Sequence, residues 1–201
     1  MDRARPLPTR RLLLKGAALA AVPYPLLPAR PAGASTGVID YPRAEWQAAS
    51  DENRTSAQRP DGCGIDRVII HVTQYAYAGT LSIFQNPKNR VSAHYLLRSA
   101  DGHVAQCVRE SDVAWHAGNW EYNTRSIGIE HEGWVEKPEY FTDALYAESA
   151  RLTASICDRY GIPKDRDHVI GHAEVPGTDH TDPGPHWDWA RYMRLVGLSL
   201  E

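Results

Sequence analysis

Cysteine is scarce in this chain, with three among 201 residues: Cys63, Cys107 and Cys157. They stand far apart with no CxxC pair, which excludes a zinc-finger framework. The sequence allows one disulfide with a thiol left over, or three buried thiols, and does not pair them. No internal repeat is present, so a solenoid is excluded and one domain with a full core is expected. Long apolar runs are missing too. The most apolar stretch, before residue 30, is broken by Pro23, Pro25 and Pro28, whereas a membrane-spanning helix needs roughly 20 uninterrupted residues.

Basic charge is in short supply once the first 34 residues are set apart. These hold six basic groups (Arg3, Arg5, Arg10, Arg11, Lys15 and Arg30) and one acid, Asp2. The remainder carries 16 basic against 24 acidic residues, a formal net charge of −8. Phosphate binding needs clustered lysine and arginine, so nucleic acid is not an expected partner. The segment "TRRLLLKGAALAA" followed by "AGA" has the order of a charged region, an apolar core and a small-residue cleavage site. Arg10 and Arg11 before Leu12, Leu13 and Leu14 resemble a twin-arginine export signal. The expectation is an export signal over 1–34 and an exported or cell-wall-associated protein, without stable membrane insertion after cleavage and monomeric.

Residues 35–64 are polar and turn-rich and read as an extended lead-in with one short helical turn; the working domain is expected over 65–201. "DRVIIHVT" is a short β-branched run, the pattern of a strand covered on both faces. "VSAHYLLRSADGHVAQCVRE" reads as a hairpin around Asp101–Gly102. "RSIGIEHEGW" is a second strand, with Ile127 and Ile129 on one face and Gly128 and Glu130 on the other. "TLSIFQNP" makes a brief helix ended by Pro87. Thr142 to Tyr160 is the clearest helix: Thr142 caps it, Leu145, Ser149, Leu152, Ile156 and Tyr160 recur at helical spacing, and Gly161 with Pro163 ends it. "HVIGH" is a short strand and "WDWARYMRLVGL" a closing helix. Strands alternating with helices predict a single α/β domain, a central mixed β-sheet flanked by helices.

Into this frame falls "GHAEVPGTDHTDPGPHW", which sets three histidines and three acidic residues among six glycines and prolines. His71 ends one apolar strand and His172 ends another, while Asp182 sits ten residues further on in a proline-stiffened loop. Two imidazoles and one carboxylate suffice for a catalytic zinc with an open fourth position, which lowers the pKa of a bound water towards roughly 7. Such a site needs a proton acceptor, and Glu130 stands on the polar face of its strand. It also needs a donor for the developing oxyanion, and His180 lies two residues before Asp182. Taken alone, each of these residues also has a structural reading: a packed strand histidine, a solvent-facing glutamate, a polar loop.

"VIIHVT", "VSAHYLL", "AWHAGNW", "SIGIEHEG" and "GHAEVPGTDHTDPGP", in this order, resemble the zinc-dependent N-acetylmuramoyl-L-alanine amidases of the type 2 family. That family is similar to peptidoglycan recognition proteins and amidase-type phage lysozymes. The likeness covers roughly Asp66 to Val196 and is carried by five motifs in order. It implies a zinc ion in a groove at the sheet edge, held by His71, His172 and Asp182, with Glu130 as the catalytic carboxylate. It implies peptidoglycan or muropeptides as substrate and the amide between N-acetylmuramic acid and L-alanine as the bond cut. Many relatives carry a lysine where this chain has His180; lysine is a fixed charge, whereas a histidine side chain titrates near neutrality. Some relatives use a tyrosine at the position of Ala93, and its absence here supports Glu130. His116, beside Trp115, is expected to line the groove, with both as substrate contacts or, alternatively, structural groups. His94 and His131 read as packed strand histidines, and His168 and His186 as surface or loop residues. The rival readings are a peptidoglycan-binding module without catalysis, and a zinc hydrolase of a different amide.

Overall fold

A computed structural model describes residues 39–56, 59 and 64–198. Residues 1–34, on which the expectation of an export signal falls, and Cys63 lie outside them. Eight strands follow in chain order: β1 (Ala44–Trp46), β2 (Arg54–Thr55), β3 (Arg67–Val72), β4 (Tyr95–Leu97), β5 (Val104–Gln106), β6 (Val113–Ala114), β7 (Ser126–His131) and β8 (Val169–Gly171). Among the described residues four α-helices accompany them: α1 (Tyr77–Gln85), α2 (Trp120–Arg125), α3 (Asp143–Tyr160) and α4 (Trp189–Leu198). Six strands form one sheet in the order β1-β5-β4-β7-β3-β8, and β2 pairs with β6 in a small separate ribbon. Strands β4, β7, β3 and β8 run parallel, and β5 is antiparallel to β4 through the expected hairpin. The result is the mixed α/β sheet that the pattern of elements predicts.

The period-two alternation of strand side chains sorts the core onto two faces. Val68, Ile70 and Val72 of β3 and Ile127 and Ile129 of β7 pack with Leu145, Leu152 and Ile156 of α3 and Tyr192 and Val196 of α4. Each fully buried aliphatic side chain in that layer contributes about 1.5–3 kcal/mol. Thr142 caps α3 by accepting from the Leu145 amide at 3.1 Å, and Gly161 ends it with φ +67°, a conformation that costs any side-chain-bearing residue more. The opposite face carries Ile69, His71, Gly128 and Glu130, covered by smaller clusters around Phe84 of α1 and around Ala117 and Val175.

Two elements differ from expectation. The stretch read as an extended lead-in supplies β2 and also β1, which pairs in parallel with β5 and forms one edge of the sheet. It is clamped to α3 by Tyr41 and Arg43, both of which donate to Glu148. Three residues, "AEW", are too few for an alternation to show, and their partner lies 60 positions away. Helix α1 begins at Tyr77 rather than Thr80 because its first amide has a remote partner: Glu132 accepts from Tyr77 N at 2.9 Å and, through its other oxygen, from Ser99 N at 2.9 Å. Cys107 and Cys157 are free, buried thiols in the clusters on opposite faces of the sheet, and burial pushes both up to about 12. No helix among the described residues is long and apolar enough to cross a membrane.

Candidate metal centre

The carboxyl ends of parallel strands are where open α/β sheets place their ligands, and three adjacent strands converge there. Register sets His71 of β3 directly opposite Glu130 of β7, and Ile70 opposite Gly171 of β8. The next residue along is His172, which opens a single 3₁₀ turn, His172–Glu174. Glu174 steadies that turn by accepting from the Gly171 amide at 2.6 Å. Asp182 arrives from the proline-stiffened loop: its carbonyl accepts from Ala173 N at 2.9 Å and its Oδ2 from Val72 N at 3.2 Å. The loop is therefore tied both to β3, which carries His71, and to the turn that carries His172.

The side chains meet closely. His71 Nδ1 lies 3.3 Å from Asp182 Oδ2, and His172 Nδ1 lies 3.2 Å from Asp182 Oδ1. One ligand atom from each of the three residues falls within 4.8 Å of the other two. All three residues are buried. Burial alone would raise the Asp182 carboxyl, but the imidazoles of His172 and His71 outweigh it and hold it well below the usual carboxylate range. Burial keeps His71 low despite Asp182. Glu130 behaves oppositely: burial, reinforced by the charge of Asp182, lifts its carboxyl well above the ordinary value.

At this centre, two groups are left with unused polar atoms. Neither ring nitrogen of His172 makes a hydrogen bond of good geometry, and Glu130 Oε2 is sealed from solvent without a partner. Buried polar groups are nearly always satisfied, so such orphans mark a site made for something else. They face a cavity of about 300 Å³ lined by His116, Glu130, His172, His180 and Asp182 and continued over Ile83, Phe84 and Val91. The donor set, two imidazole nitrogens and a carboxylate, suits zinc. The arrangement fits a divalent ion.

The other residues singled out from sequence fall into place around this centre. His180 stands at the cavity rim with an exposed side chain, its ring stacked on His172 at 4.1 Å and its Nδ1 3.5 Å from Asp182 Oδ1. His116 lines the cavity, but both its ring nitrogens are taken by protein: Nδ1 by His71 Nε2 at 2.9 Å and Nε2 by Ser126 Oγ at 3.3 Å. Trp115, by contrast, does not line the cavity; its Nε1 donates to Thr55 Oγ1 at 3.0 Å and its ring lies under Arg90. Alternation along the chain turns Trp115 away wherever His116 points in. His94 is buried and accepts from Gly128 N at 3.0 Å, and His131 bonds the His71 carbonyl and Ser149, so both are packing residues. His168 pairs with Asp165, and His186 is exposed. Gln74, a left-handed residue at φ +53° that lines the cavity, had no sequence signal. Ser126 and Gly128, which support the centre from behind, were legible only as members of a strand.

A buried carboxylate beside an unpartnered one costs stability unless chemistry uses it. The fold, the cavity and a triad suited to a metal ion together fit the class of hydrolases. Comparison with known proteins carries the identification further. The family model described as N-acetylmuramoyl-L-alanine amidase matches residues 60–185. The chain is 38% identical over 175 residues to N-acetylmuramoyl-L-alanine amidase A of Achromobacter lyticus, covering 79% of this chain and 96% of that protein. It is 41% identical over 116 residues to the 1,6-anhydro-N-acetylmuramyl-L-alanine amidase AmpD of Salmonella typhimurium, covering 55% of this chain and 59% of the relative. A crystal structure of a selenomethionine derivative of AmpD superposes with a TM-score of 0.65 at 30% identity, over 78% of this chain and 96% of that one. The chain belongs to the N-acetylmuramoyl-L-alanine amidase family.

Proposed function

We propose that this enzyme cuts the amide between N-acetylmuramic acid and L-alanine in peptidoglycan or muropeptides, using one zinc ion held by His71, His172 and Asp182. When bound, the ion supplies Lewis-acid chemistry at the scissile carbonyl. The observation that carries the reading is the pair of orphaned groups, the His172 nitrogens and Glu130 Oε2, turned with Asp182 onto one cavity.

The protein's own groups divide the remaining work. Glu130 takes a proton from the attacking water and hands it to the leaving amine; a carboxyl lifted by burial is better matched to that exchange near neutral pH than an ordinary one. His180, at the rim and outside the triad, donates to the oxygen on which charge develops. The apolar arm of the cavity over Ile83, Phe84 and Val91 excludes water beside the reacting carbonyl.

The test is metal analysis of the purified protein alongside product identification on a muropeptide and on intact sacculi, with and without a chelator. The expected outcome is a single zinc per chain and peptides bearing a new L-alanine amino terminus, with activity lost to the chelator and restored by zinc. Cleavage at another bond, or undiminished turnover after metal removal, overturns the proposal.

A further inference from the structure

The contact between His71 and His116 has a direction, and a backbone carbonyl sets it. His71 Nε2 lies 2.9 Å from His116 Nδ1, so a single proton stands between two ring nitrogens. On the far side of His116, Nε2 lies 3.3 Å from Ser126 Oγ. The Ser126 hydroxyl, at the start of β7, sits 2.6 Å from the Tyr122 carbonyl, which can only accept. The one hydroxyl proton is therefore engaged, and towards His116 the oxygen offers a lone pair. His116 must then carry its proton on Nε2, which leaves its Nδ1 unprotonated and accepting. His71 in turn carries its proton on Nε2 and keeps the Nδ1 lone pair on the side of Asp182 and His172. Run in reverse, the chain would ask one serine proton to serve both His116 and Tyr122.

The surroundings hold the relay in place. The His116 and Ala117 amides both donate to Asn123 Oδ1, at 3.1 and 2.8 Å, fixing the backbone that carries the ring. Gly128 leaves room for it: a Cβ there would lie 2.5 Å from the His116 ring, nearer than real contacts allow. His116 is itself buried.

We propose that His116 and Ser126 are positioning residues, a directional hydrogen-bond relay that presents His71 to the metal as an Nδ1 ligand. The inference rests on His71 being a metal ligand, as read above. Ligand-orienting partners of this kind are worth roughly 10–100-fold in metal affinity. Nitrogen-15 NMR of the zinc-loaded protein is expected to show His71 coordinated through Nδ1, with the protons of both His71 and His116 on Nε2. By competition with a chelator, His116→Phe should bind zinc about 10–100-fold more weakly. Ser126→Ala, the milder change, should weaken it in the same direction with little effect on the melting of the metal-free protein. A proton on His116 Nδ1, or wild-type zinc affinity in both variants, overturns the relay. If instead NMR shows no coordination by His71, the metal triad itself fails, which is a separate result.

Discussion

Glu130→Gln separates the working role of this carboxyl from its structural cost. Glu130 Oε2 is buried without a partner next to an ionised Asp182, and its carboxyl is lifted well above the ordinary 4.5. In the metal-free protein the folded state therefore holds the Glu130 proton more tightly than the unfolded chain does. As pH rises past about 4.5 the unfolded chain releases that proton first, and ionisation draws the equilibrium towards unfolding. The penalty is absent below 4.5, grows through the window between the two pKa values, and levels off once the folded carboxyl ionises. Its slope is about 1.4 kcal/mol per pH unit. Glutamine has nearly the same shape and no proton to lose. Urea unfolding of the metal-free proteins at pH 4, 5, 6 and 7 should find the variant gaining on wild type with each step. Zinc-loaded, the same variant should keep its metal and lose about 10²–10⁴-fold in turnover. Parallel stability profiles would show that Glu130 is not held in an unfavourable state. Near-normal turnover would remove it from the chemistry.

Two further outcomes follow from other parts of the molecule. His180→Ala should lower kcat by about 10²–10³-fold at constant zinc content; loss of zinc, read by elemental analysis, would make His180 a ligand instead. Leu152→Ala, at a fully buried position between α3 and the sheet, should cost about 2–5 kcal/mol in denaturant unfolding without altering the metal stoichiometry.

Much of this protein is legible in its sequence. The alternation in "SIGIEH" separates Ile127 and Ile129 from Gly128 and Glu130, and the structure puts the first pair against α3 and the second on the cavity face. The spacing of Leu145, Leu152 and Ile156, with Thr142 before and Gly161 after, marks α3 to within a residue. These are local properties: side-chain direction repeats every two or 3.6 residues, and caps act on amides three positions away. Five ordered motifs added the family, and with it the likeness that points to His71, His172 and Asp182.

The rest depends on which segment lies across from which, and no local period encodes that. Glu132 looks like a surface glutamate in "EHEGW" until the fold brings the first amide of α1 to one oxygen and Ser99 N to the other. "AEW" becomes an edge strand only because β5 is there to pair with it. His116 and Trp115 are equal candidates in "AWHAG"; the close approach of Gly128 and the contact with His71 assign one to the centre, and Thr55 draws the other away. The sequence specifies which groups are available and which face each occupies, since backbone geometry repeats over a few residues. Their partners, their burial and their protonation come from the order β7-β3-β8, which joins residues 60 to 110 positions apart.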